Sequence, residues 1–461
     1  MNGARPRILL VNPNVDTCYE YVSCLGLMSL YLTAHQLGCG VELIDLSLYP
    51  ERQSAGLLCK KEYDIVGISC NFTNAAPFCM GYAARIKQKY PRTTVIAGGN
   101  HATFAPDDLL SNGYDYVLAG EGEETFKAFI EAWTAGDDVR RLDGVVYRRD
   151  GSLVRNPARR LITDLDALPL NDYSRFDLRP YFERGGARYI IMETSRGCVY
   201  DCAMCSTVTM WGRVFRHKSP ERIVEEFAIA KRARVDFVFM ADDDTALDEE
   251  NVQKFCRLLV RNNAAVPWGT TIGSRSIRDS ETFRLMAAAG CVKVNICIES
   301  ANERVLRMYR KPFTIEDNSR TCAALLKNGI IVHNHGIIGN AEETLLESLR
   351  TYWYLIRTSP IWHVSILEPR PGTQYWQKWD KKGDPRSYRL FGKANVILAR
   401  RKALLYLIYR LFCLGYFLNP LRIYRAFFHP RKWIRFNYAN QYRVALATIR
   451  ENALFFLKRS A

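Results

Sequence analysis

The feature that most constrains the fold is a regular alternation of short apolar strands with amphipathic helices, which occurs in two separate stretches of the chain. In the first stretch, residues 6–130, the apolar runs are nearly continuous, as in strands buried on both faces of a parallel sheet. We predict an N-terminal doubly wound, flavodoxin-like domain over residues 1–139, with ligands at the carboxyl ends of its strands. Its predicted strands contain RILLVNP, GVELIDL, YDIVGISC, TTVIAGG and YDYVLAG.

The second alternation, over residues 188–370, repeats six times. Consecutive strand–helix units of this kind favour a parallel barrel, whose active site lies at the carboxyl ends of the strands. We predict a partial (β/α)6 barrel over residues 188–385, preceded by a connector over 140–187 that includes a small hairpin. The chain as a whole is therefore α/β. Polar groups follow five of the predicted barrel strands: Cys198 with Cys202 and Cys205, Asp242–Asp244, Ser274–Arg275, Glu299–Ser300, and Glu368.

Positive charge is concentrated at the C-terminus. Residues 386–461 hold sixteen Lys and Arg and one acid, Glu451, whereas the other 385 residues hold 48 Lys and Arg against 47 Asp and Glu. We predict a basic, aromatic, helical segment over 386–461 that contacts a membrane surface or a lipid-like substrate. Packing against the enzyme's own domains is the alternative, and the lack of a recognised module argues against nucleic acid. The longest uncharged run, Leu411–Leu421, is too short to span a bilayer.

Three of the 14 cysteines occur within eight residues, in SRGCVYDCAMCS at 195–206. The N-terminus lacks the apolar core of a signal peptide, so we expect a reducing, cytoplasmic setting in which clustered cysteines indicate metal binding or catalysis. Structural zinc sites usually take four ligands in two pairs, and no second pair follows at that spacing. Three thiolates on one loop suit a cubane iron–sulfur cluster with one iron left open. Zinc and unmodified buried thiols stay as alternatives.

This C-x3-C-x2-C motif, placed after the first strand of a predicted barrel, resembles that of the radical S-adenosylmethionine (SAM) enzymes. The resemblance continues through SPERIVEEF, FMADDDT, GCVKVNICIES and PRPGTQYW, about residues 190–380. It implies that Cys198, Cys202 and Cys205 hold a 4Fe–4S cluster. It also implies that SAM chelates the open iron and that one-electron cleavage of SAM yields a 5′-deoxyadenosyl radical.

The same resemblance implies a set of SAM contacts at the strand ends. The residue before the last cysteine is usually aromatic in this family and contacts the adenine, but here it is Met204. Because methionine is flexible and apolar, it can cover the same surface. The remaining implied contacts are Asp242 and Asp243 to the SAM amino group, and Ser274, Arg275 and Glu299 to its ribose and carboxylate.

The strand ends of the first domain are rich in Gly, Asn, Ser and Thr. Neither G-x-G-x-x-G after the first strand nor G-x-x-x-x-G-K-[ST] is present, which argues against dinucleotide binding and a P-loop. The domain resembles the cobalamin-binding domain of cobalamin-dependent radical SAM enzymes, through GIS at 67–69, GGNHAT at 98–103 and GEGEET at 120–125. The implied cobalamin contacts are Asn12, Ser69, Thr73, Gly98, Gly99, His101, Gly120 and Glu121.

Corrinoid domains with a histidine ligand carry Asp-x-His-x-x-Gly after the first strand, but this loop reads NPNVDTCYEYVS and has no histidine. The resemblance therefore implies a cobalt without a histidine lower ligand, and His101 is interpreted as a loop-shaping residue near the nucleotide tail. A degenerate domain that binds no corrinoid is the alternative.

Together, the two resemblances imply a methyltransferase that acts on an unactivated carbon of a hydrophobic or natural-product-like small molecule, through a 5′-deoxyadenosyl radical and methylcobalamin. The implied cofactors are a 4Fe–4S cluster, SAM and cobalamin, with a flavodoxin- or ferredoxin-type electron donor. We expect a cytoplasmic protein, with a peripheral place at the inner membrane surface left open by the basic segment. Radical cyclisation or rearrangement with the same cofactors is one alternative, and a non-catalytic corrinoid-binding protein is a second.

Overall fold

A computed structural model describes residues 5–14, 24–185, 187–379, 388, 411, 415 and 420–428 of the 461-residue chain. These residues form two compact units. The first contains residues 5–14 and 24–171 together with 376–379 and Tyr388, and the second contains 172–375 and the described residues from 411 onward. Most of the predicted C-terminal segment, 386–461, lies outside the described residues.

The first unit is built on a seven-stranded sheet with the order β2-β1-β3-β4-β5-β6-β7. The first five strands are parallel, and the order 2-1-3-4-5 is the flavodoxin-like one, which confirms the predicted doubly wound fold. The strands are β1 (Arg7–Asn12), β2 (Gly40–Asp45), β3 (Ile65–Ser69), β4 (Thr94–Gly98), β5 (Tyr116–Leu118), β6 (Val145–Arg149) and β7 (Ser152–Arg155).

The helices of this unit follow the apolar periodicity of the sequence and cover the sheet. Phe126 and Phe129 on the last of them are fully buried against Ile8 and Leu10 of β1. The helices are α1 (Leu25–Gln36), α2 (Glu51–Leu58), α3 (Ala76–Lys89), α4 (Asn100–Phe104), α5 (Pro106–Leu110) and α6 (Gly122–Ala135).

The hairpin that we assigned to the connector extends the first sheet. β6 pairs antiparallel with β5, and β7 pairs antiparallel with β6, so residues 145–155 continue the hydrogen-bonded ladder. Val145 and Tyr147 are buried in the same core as Phe129. Burial of these apolar side chains favours docking of the hairpin on the sheet over an exposed linker. The domain boundaries at 139 and 187 stay predictions.

The second unit is built on a six-stranded parallel sheet in strict chain order, with edge strands β8 and β15. Sequential order with helical crossovers is the pattern of a βα barrel, and the two separate edges make it a partial one, which confirms the predicted fold. The strands are β8 (Tyr189–Met192), β11 (Phe237–Met240), β12 (Trp268–Ile272), β13 (Cys291–Glu299), β14 (Ile331–Ile338) and β15 (Ile361–Ile366). A short antiparallel pair, β9 (Ser195–Arg196) and β10 (Arg216–His217), stands beside them.

The helices of the second unit begin at well-formed caps. Ser219 and Asp248 accept backbone N–H groups at two helix starts, and Thr314 and Thr344 form capping boxes at two others. Each such cap contributes about 1 kcal/mol. The helices are α7 (Arg179–Gly185), α8 (Thr207–Trp211), α9 (Pro220–Arg232), α10 (Glu249–Arg261), α11 (Ser280–Ala288), α12 (Glu303–Met308), α13 (Ile315–Lys327), α14 (Leu345–Thr358), α15 (Gln374–Gln377) and α16 (Pro420–Phe428).

None of the helices in the described ranges is both long enough and apolar enough to cross a membrane.

A buried ion pair joins α9 to the strand that precedes it. Lys218 Nζ lies 2.7 Å from Glu226 Oε1, and both side chains are buried. Removing the carboxylate leaves the ammonium buried without its ion-pair partner, so we expect Glu226→Ala to destabilise the fold by about 3–5 kcal/mol. Urea denaturation measures the change. Glu225→Ala, one residue away on the exposed side of α9, is the matched control and should change little. Equal effects of the two substitutions would contradict this role of the pair.

Candidate active site

The three clustered cysteines lie on one loop at the carboxyl end of β8, between β9 and α8. Cys198 and Cys202 are half-buried and Cys205 is exposed. The loop begins with Gly197, whose φ of +91° lies in the left-handed region. A Cβ at this position would overlap the carbonyl oxygen of Val214, so the loop requires glycine there.

Asp242, after β11, anchors the start of this loop. Its Oδ1 accepts hydrogen bonds from the backbone N–H groups of Thr194 (2.8 Å) and Ser195 (3.0 Å). Its Oδ2 accepts from the hydroxyls of Thr194 and Thr245. Burial raises the pKa of the Asp242 carboxyl, and the hydrogen bonds from Thr194, Ser195 and Thr245 oppose that shift. The bonds therefore hold the end of β11 against the residues that lead into the cysteines.

Asp243 holds both ends of the cysteine loop. Its Oδ2 accepts from the N–H of Gly197 at 3.1 Å, and its Oδ1 accepts from Thr207 Oγ1 at 2.9 Å. The N–H of Thr207 also lies 3.4 Å from the sulfur of Cys205. One carboxylate thus joins the residue before the first cysteine to the residue two positions after the last.

Met204 lies in an apolar cluster with Val305, Tyr309 and Leu367. The N–H of its neighbour Ala203 donates to the carbonyl of Tyr309 at 2.8 Å. The described contacts of Met204 therefore fasten the middle of the loop to α12, and its assignment to adenine stays a prediction.

A buried ion pair stands at the end of β13. Lys311 Nζ donates to Glu299 Oε1 at 2.9 Å, and both side chains are about nine-tenths buried. Burial alone would lower the pKa of Lys311. The opposing charges of Glu299 and of the Cys202 and Cys297 thiols raise it above its ordinary value. This pair places a cationic group beside Cys202.

Ser274 and Arg275, after β12, both turn toward α13. Ser274 is buried and donates to Asn318 Oδ1, and Arg275 Nε lies 3.8 Å from Asp317 Oδ2.

Asp244 is the third carboxylate after β11 and accepts from Ser276 Oγ at 2.6 Å. Burial raises the pKa of Asp244 to about 6.

Three thiols on one loop are the kind of donor set that an iron–sulfur cluster uses. Within the described part of the chain, no three His, Cys, Asp or Glu side chains gather around one ion position. Burial raises the pKa of Cys198, and the Asp244 carboxylate and the two other thiols of the loop raise it further. Three neighbouring thiols on one loop, with no fourth cysteine on that loop, suit a cluster in which each sulfur binds a different iron.

Four of the residues predicted to contact cobalamin lie at the carboxyl edge of the first sheet. Asn12 ends β1, Ser69 ends β3 and Gly98 ends β4, while Gly120 follows β5. Ser69 and Gly98 are direct partners in the strand register. Asn12 and Ser69 flank the point where the strand order reverses, which is where ligands bind to sheets of this kind.

Gly99 lets two loops of this edge approach closely. Its φ is +100°, and a Cβ would lie 2.5 Å from Asn71 Oδ1 and 3.0 Å from the backbone of Cys70. The sequence therefore needs glycine here to seat the loop after β4 against the loop after β3.

The ring of His101 is engaged on both nitrogens. Nε2 lies 3.1 Å from Asp108 Oδ2, and Nδ1 lies 3.4 Å from the hydroxyl of Thr73. Trp376 and Tyr388 pack edge-on against the ring. These contacts favour the interpretation of His101 as a loop-shaping residue over a metal ligand.

Gly120 and Glu121 form the turn between β5 and α6. The N–H of Gly120 donates to Thr103 Oγ1 at 3.0 Å, and Glu121 Oε2 accepts from the N–H of Ile162 at 2.8 Å. The Glu121 carboxylate therefore binds the chain that follows β7.

Several residues at the site were missed by sequence reasoning. Thr194 and Thr207 flank the cysteine motif but carry no signal of their own. Lys311 follows a helix rather than a strand, so its position beside Cys202 depends on tertiary contacts. Asp244 was noted at a strand end but was not assigned to a cofactor.

Two family profiles match the chain. The B12-binding domain profile matches residues 12–130, and the radical SAM superfamily profile matches residues 192–351. The first range covers the strands β2–β5 with their carboxyl ends, and the second covers the cysteine loop and the barrel strands β11–β14.

The curated relatives of this chain include methyltransferases and a cyclase. The chain is 28% identical to an uncharacterized methyltransferase of Pyrococcus horikoshii over 70% of this chain and 71% of that protein. It is 26% identical to the anaerobic magnesium-protoporphyrin IX monomethyl ester cyclase of Synechocystis over 66% of this chain and 63% of that protein. It is also 26% identical to the hopanoid C-3 methylase of Methylococcus capsulatus over 82% of this chain and 72% of that protein.

Two solved structures have a similar fold. TsrM from Kitasatospora setae, a radical SAM methyltransferase with cobalamin and a 4Fe–4S cluster bound, matches with a TM-score of 0.66 and 20% identity over 80% of this chain and 74% of that one. The cobalamin-dependent radical SAM enzyme OxsB matches with a TM-score of 0.67 and 20% identity over 84% of this chain and 57% of that one.

The doubly wound domain and the partial barrel with its three-cysteine loop define an enzyme with two cofactor-binding domains. With both profiles matched, the chain belongs to the cobalamin-dependent radical SAM enzymes, a family that includes methyltransferases and cyclases. Its cofactors are therefore a 4Fe–4S cluster, SAM and cobalamin.

The close contact at Gly197 gives a direct test of the loop geometry. We expect Gly197→Ala to displace the cysteine loop, because the new Cβ would overlap the Val214 carbonyl and the left-handed φ would be strained. The combined cost should be about 2 kcal/mol or more, measured as a fall in the free energy of unfolding and in reconstituted iron content. Gly212→Ala is the control, because its φ is also positive but a Cβ there meets no atom. An unchanged iron content in Gly197→Ala would contradict this account.

Proposed function

We propose that the protein is a C-methyltransferase that acts on an unactivated carbon of a small molecule. The observation that carries the proposal is a loop with three thiols at the carboxyl end of a barrel strand, in a chain that also has a B12-binding domain. An open iron position leaves room for SAM, and the second cofactor domain supports a methyl carrier in the same turnover.

In this proposal Cys198, Cys202 and Cys205 hold the cluster. When bound, the cluster with SAM supplies a carbon-centred radical, and cobalamin supplies a transferable methyl group. Asp242 and Asp243 position the cysteine loop through its backbone, and Lys311 places a positive charge next to the anionic cluster. This support keeps the thiolates fixed, as metal ligands require.

The other proposed SAM contacts lie at the carboxyl ends of the barrel strands. Ser274, Arg275 and Glu299 would line the ribose and carboxylate of SAM, Met204 would face the adenine, and Asp242 or Asp243 would meet the amino group. Asp243 is the better placed of the two carboxylates, because it is exposed whereas Asp242 is buried by its bonds to the loop.

For cobalamin, the proposed contacts are the residues of the carboxyl edge. Gly98 and Gly99 give space for the nucleotide tail, Ser69 and Thr73 offer hydroxyls, and Asn12, Gly120 and Glu121 shape the neighbouring turns. His101 holds the loop through Asp108 and Thr73, and with both ring nitrogens engaged there it would not ligate the cobalt of a bound cobalamin.

Cyclisation without methyl transfer is the second candidate, favoured by the likeness to the magnesium-protoporphyrin IX monomethyl ester cyclase. The two reactions differ in what happens to the methyl group of SAM. A methyltransferase must release S-adenosylhomocysteine, whereas a cyclase need not.

The deciding experiment measures both SAM products. We expect anaerobically reconstituted protein with cobalamin, SAM and a reductant such as flavodoxin to form both S-adenosylhomocysteine and 5′-deoxyadenosine. Cys198→Ala should form no 5′-deoxyadenosine, because the cluster loses one of its three ligands, while Cys59→Ala, a half-buried thiol of the first unit, should behave as the unaltered protein. Formation of 5′-deoxyadenosine alone would overturn methyl transfer in favour of the second candidate. Formation of neither product would favour a non-catalytic corrinoid protein.

A hydrophobic substrate and contact with a membrane surface are proposed for the C-terminal part of the second unit. Large apolar side chains are exposed on two helices, among them Trp353 on α14 and Phe427 and Phe428 on α16, which are 60%, 58% and 69% exposed. They accompany the basic segment 386–461, so apolar and cationic groups occur together, as in interfacial helices.

Liposome binding tests this surface. We expect the double substitution Phe427→Ser and Phe428→Ser to weaken binding to anionic vesicles by about tenfold or more, because each buried phenyl ring contributes about 1.5–3 kcal/mol. Binding of the unaltered protein should fall as salt is raised. Leu326→Ser, on an exposed position of α13, is the control. Equal binding by the unaltered protein, the double variant and Leu326→Ser would mean that α16 packs against another part of the enzyme.

A further inference from the structure

Alternate residues of the last barrel strands face away from the surrounding helices. On β14, Asn334 Nδ2 donates to Thr358 Oγ1 of α14 at 3.0 Å, and a Cβ at Gly336 would lie 3.0 Å from Leu355 of the same helix. His335 and Ile337 alternate with these two residues and therefore point to the opposite side of the sheet. We call that side the inner face.

The strand register places polar side chains of four neighbouring strands together on the inner face. Thr271 of β12 pairs with Asn295 of β13, Cys297 of β13 pairs with His335, and His335 pairs with His363 of β15. The ring centres of the two histidines are 5.9 Å apart. All five side chains are half-buried, and neighbouring strands lie about 4.8 Å apart, so a small molecule can contact several of them at once.

The inner face adjoins the cysteine loop. Ile337 packs against the apolar cluster that contains Met204, and Cys202 packs against the same cluster. His335 lies two residues before Ile337 on the same face, which is about 7 Å along the strand. A molecule held at His335 is therefore bound close to the cysteines that are proposed to hold the cluster.

The other part of the inner face is apolar. The strands β8 and β11 contribute Ile191 and Phe239, which are half-buried. Apolar and hydrogen-bonding side chains thus occupy different strands of one face. A substrate with an apolar body and a polar group on one side would match this division.

Two polar atoms of the inner face are buried without a hydrogen-bond partner among the described residues. They are Oδ1 of Asn295 and Nε2 of His335. Buried polar groups are hydrogen-bonded in nearly all native proteins, so two such atoms on one face indicate that a polar group of a ligand binds there. Lys293 of the same strand has interactions of its own and is not one of these open groups.

Asn295 and His335 are uncharged, and each can donate or accept a hydrogen bond. Burial, followed by the charges of His363 and Lys293, lowers the pKa of His335 to about 3, so its ring is neutral at neutral pH. One nitrogen of a neutral imidazole donates and the other accepts, and the oxygen and nitrogen of an asparagine amide exchange by a flip. A hydroxyl donates and accepts through a single oxygen, whereas a carboxylate or a carbonyl only accepts and an ammonium only donates. A hydroxyl therefore fits both side chains in every one of these states.

We propose that Asn295 and His335 bind a hydroxyl group of the substrate on the inner face of β13 and β14, with His363 beside them as a further hydrogen-bonding group. The inference rests on the proposed function and narrows its substrate class to an apolar molecule that carries a hydroxyl. A site that hydrogen-bonds a hydroxyl rejects an analogue without it, because the polar groups of the site then lose their partner. Asn295 and His335 are thus specificity-determining residues of the reaction.

Benzyl alcohol and ethylbenzene are matched probes of this site, because they share a ring and differ in a hydroxyl against a methyl group. Ligand-observed NMR titration of the full chain loaded with its cluster, without SAM or cobalamin, should show saturable benzyl alcohol binding about tenfold tighter than ethylbenzene binding. Asn295→Leu and His335→Phe replace each polar group by an apolar one of similar shape. Each should weaken benzyl alcohol binding about tenfold without weakening ethylbenzene binding. His217→Phe is the control, because that histidine pairs with Asp248 outside the inner face.

Iron content and circular dichroism identify a variant that does not fold. In that case the other variant and the comparison of the two probes on the unaltered protein decide. Equal binding of the two probes, no binding of benzyl alcohol, or full benzyl alcohol affinity in both variants would overturn the hydroxyl site. The titration involves no methyl transfer, so failure of this site and failure of the proposed function are separate outcomes.

Discussion

The candidate site depends on the hydrogen bonds between two consecutive carboxylates and the backbone of the cysteine loop. Asp242 is buried, and a buried carboxylate is tolerated only when its oxygens are satisfied. Here two backbone N–H groups and two hydroxyls provide that satisfaction. Asp243 adds bonds to both ends of the loop. Since β8 and β11 are hydrogen-bonded neighbours, these contacts fix three thiols relative to the barrel before any cluster is bound.

Backbone strain at the end of β13 also positions a charged group of the candidate site. The register shifts between Cys297 and Glu299, and Glu299 adopts a left-handed φ of +61°, which is costly for a side chain of this size. The bulge turns the Glu299 carboxylate into its ion pair with Lys311. The carboxylate at the end of β13 is thereby paired with a cation within the barrel.

Much of the fold could be predicted from the sequence, because apolar periodicity and cysteine spacing are local properties. These local properties predicted the order of the parallel strands and the position of the cysteine loop. Contacts between segments that are far apart in the sequence could not be predicted in this way. The sequence of the β6–β7 hairpin does not show that β6 pairs with β5 and so extends the first sheet. Lys311 carries no pattern that reveals its partner Glu299, and the pairing of His335 with His363 is revealed only by the register of β14 and β15.

In the B12-binding domain, His101 links two loops at the carboxyl edge of the sheet. Both ring nitrogens of His101 are engaged, and Tyr388 Oη donates to the same Asp108 carboxylate at 2.7 Å. Tyr388 is fully buried, so at least this residue of the predicted C-terminal segment packs against the first unit. Because Thr73 and Gly99 lie in the loops that meet at His101, removing the imidazole would loosen the carboxyl edge of the sheet. The imidazole therefore positions the groups proposed to receive the nucleotide tail, and this role requires no bond to cobalt.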